Sequence, residues 1–163
     1  MNEQKPIRNG VVRSTPDFGA GVSDRIVAVA WKRVTLAADI GFLRSLLIRA
    51  HAGKPQPLVF VQFVPPTAQP PAAREREAVA KLLSESAGLL SHSATIYIGQ
   101  GFRAAMVRSI IIGINALARP AYPIRVFSTL SGAAAWIEHN RRDLPAKLTT
   151  DLVEAILRTD LTG

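Results

Sequence analysis

The sequence predicts an α/β fold: a single domain with a mostly parallel or mixed sheet of four to five strands flanked by helices. Three observations predict it. Short runs rich in β-branched residues alternate with segments of helical period. Hydrophobic residues make up 48% of the 163 and charged residues 20%, which supplies one core and excludes a disordered chain. No internal repeat and no long linker divides the sequence. Residues 1–21 are therefore expected to form a partly flexible N-terminal segment, 22–142 the α/β domain, and 143–163 a helical extension packed on it.

Gly10 to Arg13 reads as a short strand, separated by a Gly19-Ala20-Gly21 turn from the strand Arg25–Trp31. Both faces of that second strand are apolar, as an interior strand requires. Thr35 is placed to cap a helix running to about His51, with Asp39 near its positive end and Ile40, Leu43, Leu47 and Ala50 on its buried side. Gly53, Lys54 and Pro55 break it. Leu58–Val64 is a buried strand closed by Pro65 and Pro66, and next comes a helix from Pro71 to about Gly88 with Val79, Leu82 and Leu83 inside. A strand from Ala94 to Ile98, a Gly99-Gln100-Gly101 turn and a long helix from Phe102 to Ala118 succeed it. Ile124–Phe127 is the last strand. Ser128 or Thr129 caps a helix from Leu130 to about His139, and Thr150 to Arg158 forms a final amphipathic helix.

Composition narrows the function. The chain has no cysteine, which excludes disulfides, thiolate catalysis and cysteine zinc sites. Its three histidines, His51, His92 and His139, have no metal-ligand spacing, so no metal and no cofactor are expected. The polar first ten residues lack a secretory h-region, and the apolar run Ala104 to Ala118 is too short to span a bilayer unaided, so a cytoplasmic protein with no membrane span is expected. Net charge is +8, concentrated by two acid-free stretches, Ile40 to Arg74 and the interval between Glu85 and Glu138. The basic residues form no run and no aromatic-interleaved cluster, which argues against nucleic-acid readout.

Three pieces carry a family resemblance. They are Ile26 to Asp39, a strand leading into a Thr-started, Asp-bearing helix; Gly53-Lys54-Pro55 before an apolar strand; and Pro123 to Ile137, a strand followed by an Ala-Trp helix. Together, over roughly residues 22–142, they resemble the STAS-like superfamily, in particular small bacterial proteins similar to the anti-sigma-factor antagonist. The resemblance implies a compact domain that docks on partners, often in signalling, without bond chemistry. Those antagonists carry a phosphorylatable Ser or Thr in an Asp-Ser-Ser-Gly or similar pattern. Here the equivalent connection reads Val64 to Pro71, and Thr67 is its only hydroxyl and the candidate phosphorylation site.

The glycine turn before the long helix is a candidate contact for an anion or a partner, with Gly99, Gly101, Arg103, Arg108 and Arg119 as its residues. It lacks the third glycine and the acid of a dinucleotide site. The helix itself is apolar around more of its circumference than one core face needs, with Arg108, Asn115 and Arg119 forming a polar seam within about 40° at 100° per residue. Catalytic constellations are poor. Ser91-His92-Ser93 places a hydroxyl beside an imidazole, yet neighbours in an extended strand face opposite ways. Trp31 and Trp136 read as packing residues. The expectation is a non-enzymatic protein-binding or regulatory module, with a protein partner and a homodimer; the alternative is a binder of an anionic small molecule or lipid headgroup at the glycine turn.

Overall fold

The computed structural model of the chain describes residues 7–52 and 54–159. Their elements are β1 (Gly10–Ser14), β2 (Phe18–Ser23), β3 (Ile26–Trp31), α1 (Ala37–His51), β4 (Leu58–Val64), α2 (Ala73–Glu85), β5 (Leu90–Tyr97), α3 (Phe102–Ala118), β6 (Ile124–Phe127), α4 (Leu130–Asn140) and α5 (Ala146–Arg158). One mixed sheet runs in the order β1-β2-β3-β4-β5-β6. Its first three strands are antiparallel and β3 to β6 are parallel.

The α/β class is as expected, but the sheet has six strands, not four to five. The additional strand is β2, which occupies the Gly19-Ala20-Gly21 segment read from sequence as a turn. Packing explains its glycines. A Cβ on Gly19 would lie 2.6 Å from Ile156 Cγ2 and one on Gly21 2.8 Å from Leu152 Cδ1, so both positions are bare because α5 lies close on the strand. The chain reverses earlier, around Thr15, whose hydroxyl accepts the Phe18 N–H at 3.0 Å. The boundary expected at residue 21 therefore falls inside a sheet strand. Residues 1–6, Gly53 and residues 160–163 lie outside the described residues, and with them the helix-breaking role of Gly53.

Strand alternation sorts the core into two layers. Val27, Val29, Leu58 and Phe60 face one side, under α1 and α2. Ile26, Ala28, Val59, Val61, Ala94 and Ile96 face the other, under α4 and α5. α3 packs beside α2 and buries Ala104, Val107 and Ile111 against Tyr97.

Element ends differ from expectation for local reasons. Thr35 is not the cap of α1; the chain is still extended at Leu36 (φ −108°, ψ 143°), which is the N-cap and makes no side-chain cap bond. Asp39 does sit in the first turn, buried and paired with Arg13 at 3.2 Å. α2 starts after Ala72, not at Pro71, and ends at Glu85, where the Ser86 hydroxyl donates to the Leu82 carbonyl at 2.7 Å. β5 begins at Leu90 rather than Ala94. A bulge inserts Ser91, since Leu58 pairs with Leu90 but Val59 with His92, and an extra residue breaks the alternation that marks a strand. α5 begins at Ala146, four residues before the expected start. Thr129 caps α4 as expected, accepting the Gly132 N–H at 3.0 Å, and α3 and β6 have the expected limits.

The close approach of α5 to β2 generates a prediction. Gly19→Val lowers stability by about 1–3 kcal/mol through overpacking, read by urea denaturation, and adding Ile156→Ala recovers part of that loss because the two positions touch.

Candidate functional site

The sequence-nominated residues do not form one cluster. Gly101 is the N-cap of α3 at φ +84°, a backbone conformation that favours glycine, and no side chain caps the helix. Gly99 lies against the Tyr97 ring, where a Cβ would come within 3.0 Å. Arg103, in the first turn, is exposed and reaches the Ala68 carbonyl with Nη2 at 3.5 Å. Arg119 is the left-handed C-cap at the far end of the helix (φ 45°), about 24 Å away at 1.5 Å rise per residue. Gly99, Gly101 and Arg103 thus share one end, Arg108 lies midway, and Arg119 stands apart. Thr67 is exposed, with its hydroxyl donating to the Lys32 carbonyl at 3.3 Å. Its loop is pinned, not loose: the Gln69 N–H donates to the Arg33 carbonyl at 2.7 Å and the Ala68 N–H to that of Pro65 at 3.0 Å.

The outer face of α3 is apolar and uncovered. Phe102 is 88% exposed, Ile112 and Leu117 60% each, and Met106 43%. Among them Ala105, Ser109 and Gly113 recur every four residues, so a shallow strip of small residues runs between larger ones. Where this face meets α2, Arg76, Met106, Ser109, Gly113 and Leu117 border a groove of about 330 Å³. With its N-cap, the stretch Gly101–Ala118 is long and apolar enough to cross a membrane by length and composition, at mean hydropathy 1.3, whereas the shorter run from Ala104 was expected to fall short. In the fold it is the crossover between β5 and β6.

Beneath α3 lies a second feature, which sequence reasoning missed. Trp31, Gln62 and Thr95 form a polar row on adjacent strands, on the face that carries α3, and line a cavity of about 70 Å³. The Trp31 Nε1–H donates to Gln62 Oε1 at 3.0 Å, while the Thr95 hydroxyl, buried, has no hydrogen-bond partner among the described residues. Ile111, Ile114 and Asn115 of α3 roof the cavity and Pro70 and Pro71 close one side. The signal was available as single polar residues inside apolar runs: Gln62 within Leu58–Val64, Thr95 within β5 and Asn115 within α3.

At the opposite sheet end the bulge brings Ser91 and His92 together, contrary to the expectation that strand neighbours face apart. His92 Nδ1 lies 2.9 Å from Ser91 Oγ. Arg141 Nη1 donates to Ser91 Oγ at 2.9 Å and to the Pro57 carbonyl at 2.8 Å, while its Nε and Nη2 donate to Asp143. Trp136 packs edge-on to His92 with ring centroids 5.4 Å apart. The network clasps the end of α4 to the starts of β4 and β5. Among the described residues no group of three His, Asp or Glu side chains could hold a metal.

On α1 the buried Asp39 carboxyl pairs with Arg13, whose side chain is partly exposed. Burial raises the Asp39 carboxyl above its usual range, against the lowering by Arg13, whose guanidinium also lies 4.8 Å from the centre of the Phe42 ring.

No family model matches the chain, and no curated protein or solved structure matches it.

These clusters lead to two predictions. Burial, followed by the Arg141 charge, holds the His92 imidazole below its ordinary value of 6.5. The unfolded chain then binds more protons in the interval below 6.5, so stability is lost as pH falls through it. An NMR titration places the His92 midpoint below 6.5, and His92→Gln removes this part of the pH dependence. Arg13→Ala leaves the buried Asp39 carboxylate without its partner and costs about 1–3 kcal/mol near pH 7; because protonation neutralises Asp39, denaturation at low pH shows a smaller loss.

Proposed function

We propose that the chain is a non-enzymatic docking domain, STAS-like in plan, that pairs with a second copy of itself through the outer face of α3. The observation that carries this reading is the exposed apolar set Phe102, Met106, Ile112 and Leu117. A two-fold interface needs one face to be complementary to itself. The strip Ala105, Ser109 and Gly113 provides a groove and its large neighbours provide ridges, so an inverted copy lays ridge into groove. A helix about 25 Å long and 10–12 Å wide contributes less than the ~800 Å² per partner of a standard interface. The pairing is therefore weak and concentration-dependent. A protein partner with a similar apolar ridge would use the same face.

Charge gives the reading a signature. The interval between Glu85 and Glu138 holds arginines and no carboxylate, so two copies meeting at α3 bring like charges together. Added salt screens that repulsion and strengthens self-pairing, whereas it weakens the hold on any anionic surface. The alternative reading, an anionic small molecule or lipid headgroup at the glycine turn, has the uncapped helix start and Arg103 in its favour. It draws less support, because Arg103 reaches Ala68 and Arg119 is too distant to help.

The test is light scattering across concentration and salt. The wild-type mass rises from 17.6 kDa toward twice that at about 200 μM, well above the micromolar range expected of a weak interface, and rises further in high salt. Ile112→Asp stays at the single-chain mass with an unchanged melting temperature, since the residue is exposed. A wild-type chain that remains single, or an Ile112→Asp variant that still pairs, overturns the proposal. Flotation of a single-chain species with phosphatidylglycerol vesicles, lost in salt, would assign the face to lipid instead.

A further inference from the structure

We infer that the cavity beneath α3 is a binding site for a small neutral molecule presenting a carbonyl group, such as a ketone or an ester. The first argument is charge: no Lys, Arg, Asp, Glu or His lines the cavity, so an ionic ligand would be desolvated without compensation. The second is hydrogen-bonding capacity. Trp31 occupies Gln62 Oε1, which fixes the amide and leaves Nε2, a donor, as its remaining group. Thr95 is paired with Gln62 across β4 and β5, is 3% exposed, and its hydroxyl has no partner among the described residues. Buried hydroxyls without partners are rare in folded proteins, and here two donor groups on adjacent strands border one space. Both suit an oxygen acceptor.

Size sets the rest. A volume of about 70 Å³ is roughly half the ~150 Å³ that holds a benzene ring, so it encloses a carbonyl and the carbons beside it, and the far side of a ring as large as cyclopentanone lies toward the exposed Gln69. Gln69 lines the cavity and is exposed, so a longer ligand leaves past it. Ile111 and Ile114 of α3 supply apolar contact, and Asn115 adds a second amide from the roof. The site lies under α3 and does not depend on the pairing of copies.

The experiment uses the full chain, labelled for NMR and titrated with cyclopentanone, cyclopentane or cyclopentanecarboxylate. Cyclopentanone gives saturable shifts of the Thr95 and Gln62 signals in the millimolar range, and each of the other two binds about tenfold more weakly, one hydrogen-bond's worth of discrimination. Thr95→Val keeps the side-chain shape, leaves the free protein at least as stable, and weakens cyclopentanone about tenfold without changing cyclopentane. Absence of saturable shifts, equal binding of the three probes, or an unchanged affinity in Thr95→Val overturns the inference.

Discussion

Parallel strands in consecutive order constrain everything else in this fold. Each step from β3 to β6 needs a crossover, and crossovers of one hand place α1, α2 and α3 on the same face. The opposite face then has to be covered by the chain beyond β6. α4 and α5 do so, and α5 reaches across to β2 and β3, where bare glycines let it approach. The antiparallel strands thus receive their cover from the C-terminal helices. Both ends of the sheet's chain order belong to one body.

The same constraint gives α3 three separate duties. Ala104, Val107, Ile111 and Ala118 fall on the side turned to the fold and are buried. Ile114 and Asn115, flanking that side, roof the cavity. Ile112, Ala105, Ser109, Phe102, Met106 and Leu117 occupy about 140° of circumference on the outside at 100° per residue. A single amphipathic stripe would need fewer apolar residues. The surplus is what makes the helix hydrophobic enough to resemble a membrane segment, and it is the feature on which the proposed docking role rests.

Much of the architecture was legible because the sequence states it locally. β4 and α3 are apolar runs bounded by proline or glycine, β6 opens directly after Pro123, and β3 is an apolar run between the charged residues Arg25 and Lys32, so their limits come from that punctuation. β2 was not legible, because glycines that make room for Ile156 and Leu152 are indistinguishable from turn glycines until α5 is placed over them. The start of β5 was hidden by its bulge. At the candidate site the exposed helix face could be inferred from excess hydrophobicity, but the row Trp31, Gln62 and Thr95 depends on the register of three strands. Register is a tertiary property, and a lone polar residue in a strand does not reveal its neighbour.

The arginines show how far a charge pattern in sequence differs from a site in space. Arg103 contacts the Ala68 carbonyl, Arg125 lies 5.4 Å from the Phe127 ring centre, and Arg119 ends the helix. They are spread over separate ends of the fold, not converged on one point. Their joint effect is a field over the acid-free half of the chain, which steers encounters and disfavours a cationic partner without forming a pocket. The buried cavity is the converse case, lined by no charged side chain and carrying the hydrogen-bonding groups of Gln62, Thr95 and Asn115. The features on which the two proposals rest therefore divide by depth: apolar shape and long-range charge at the surface of α3, and directed hydrogen-bonding groups beneath it.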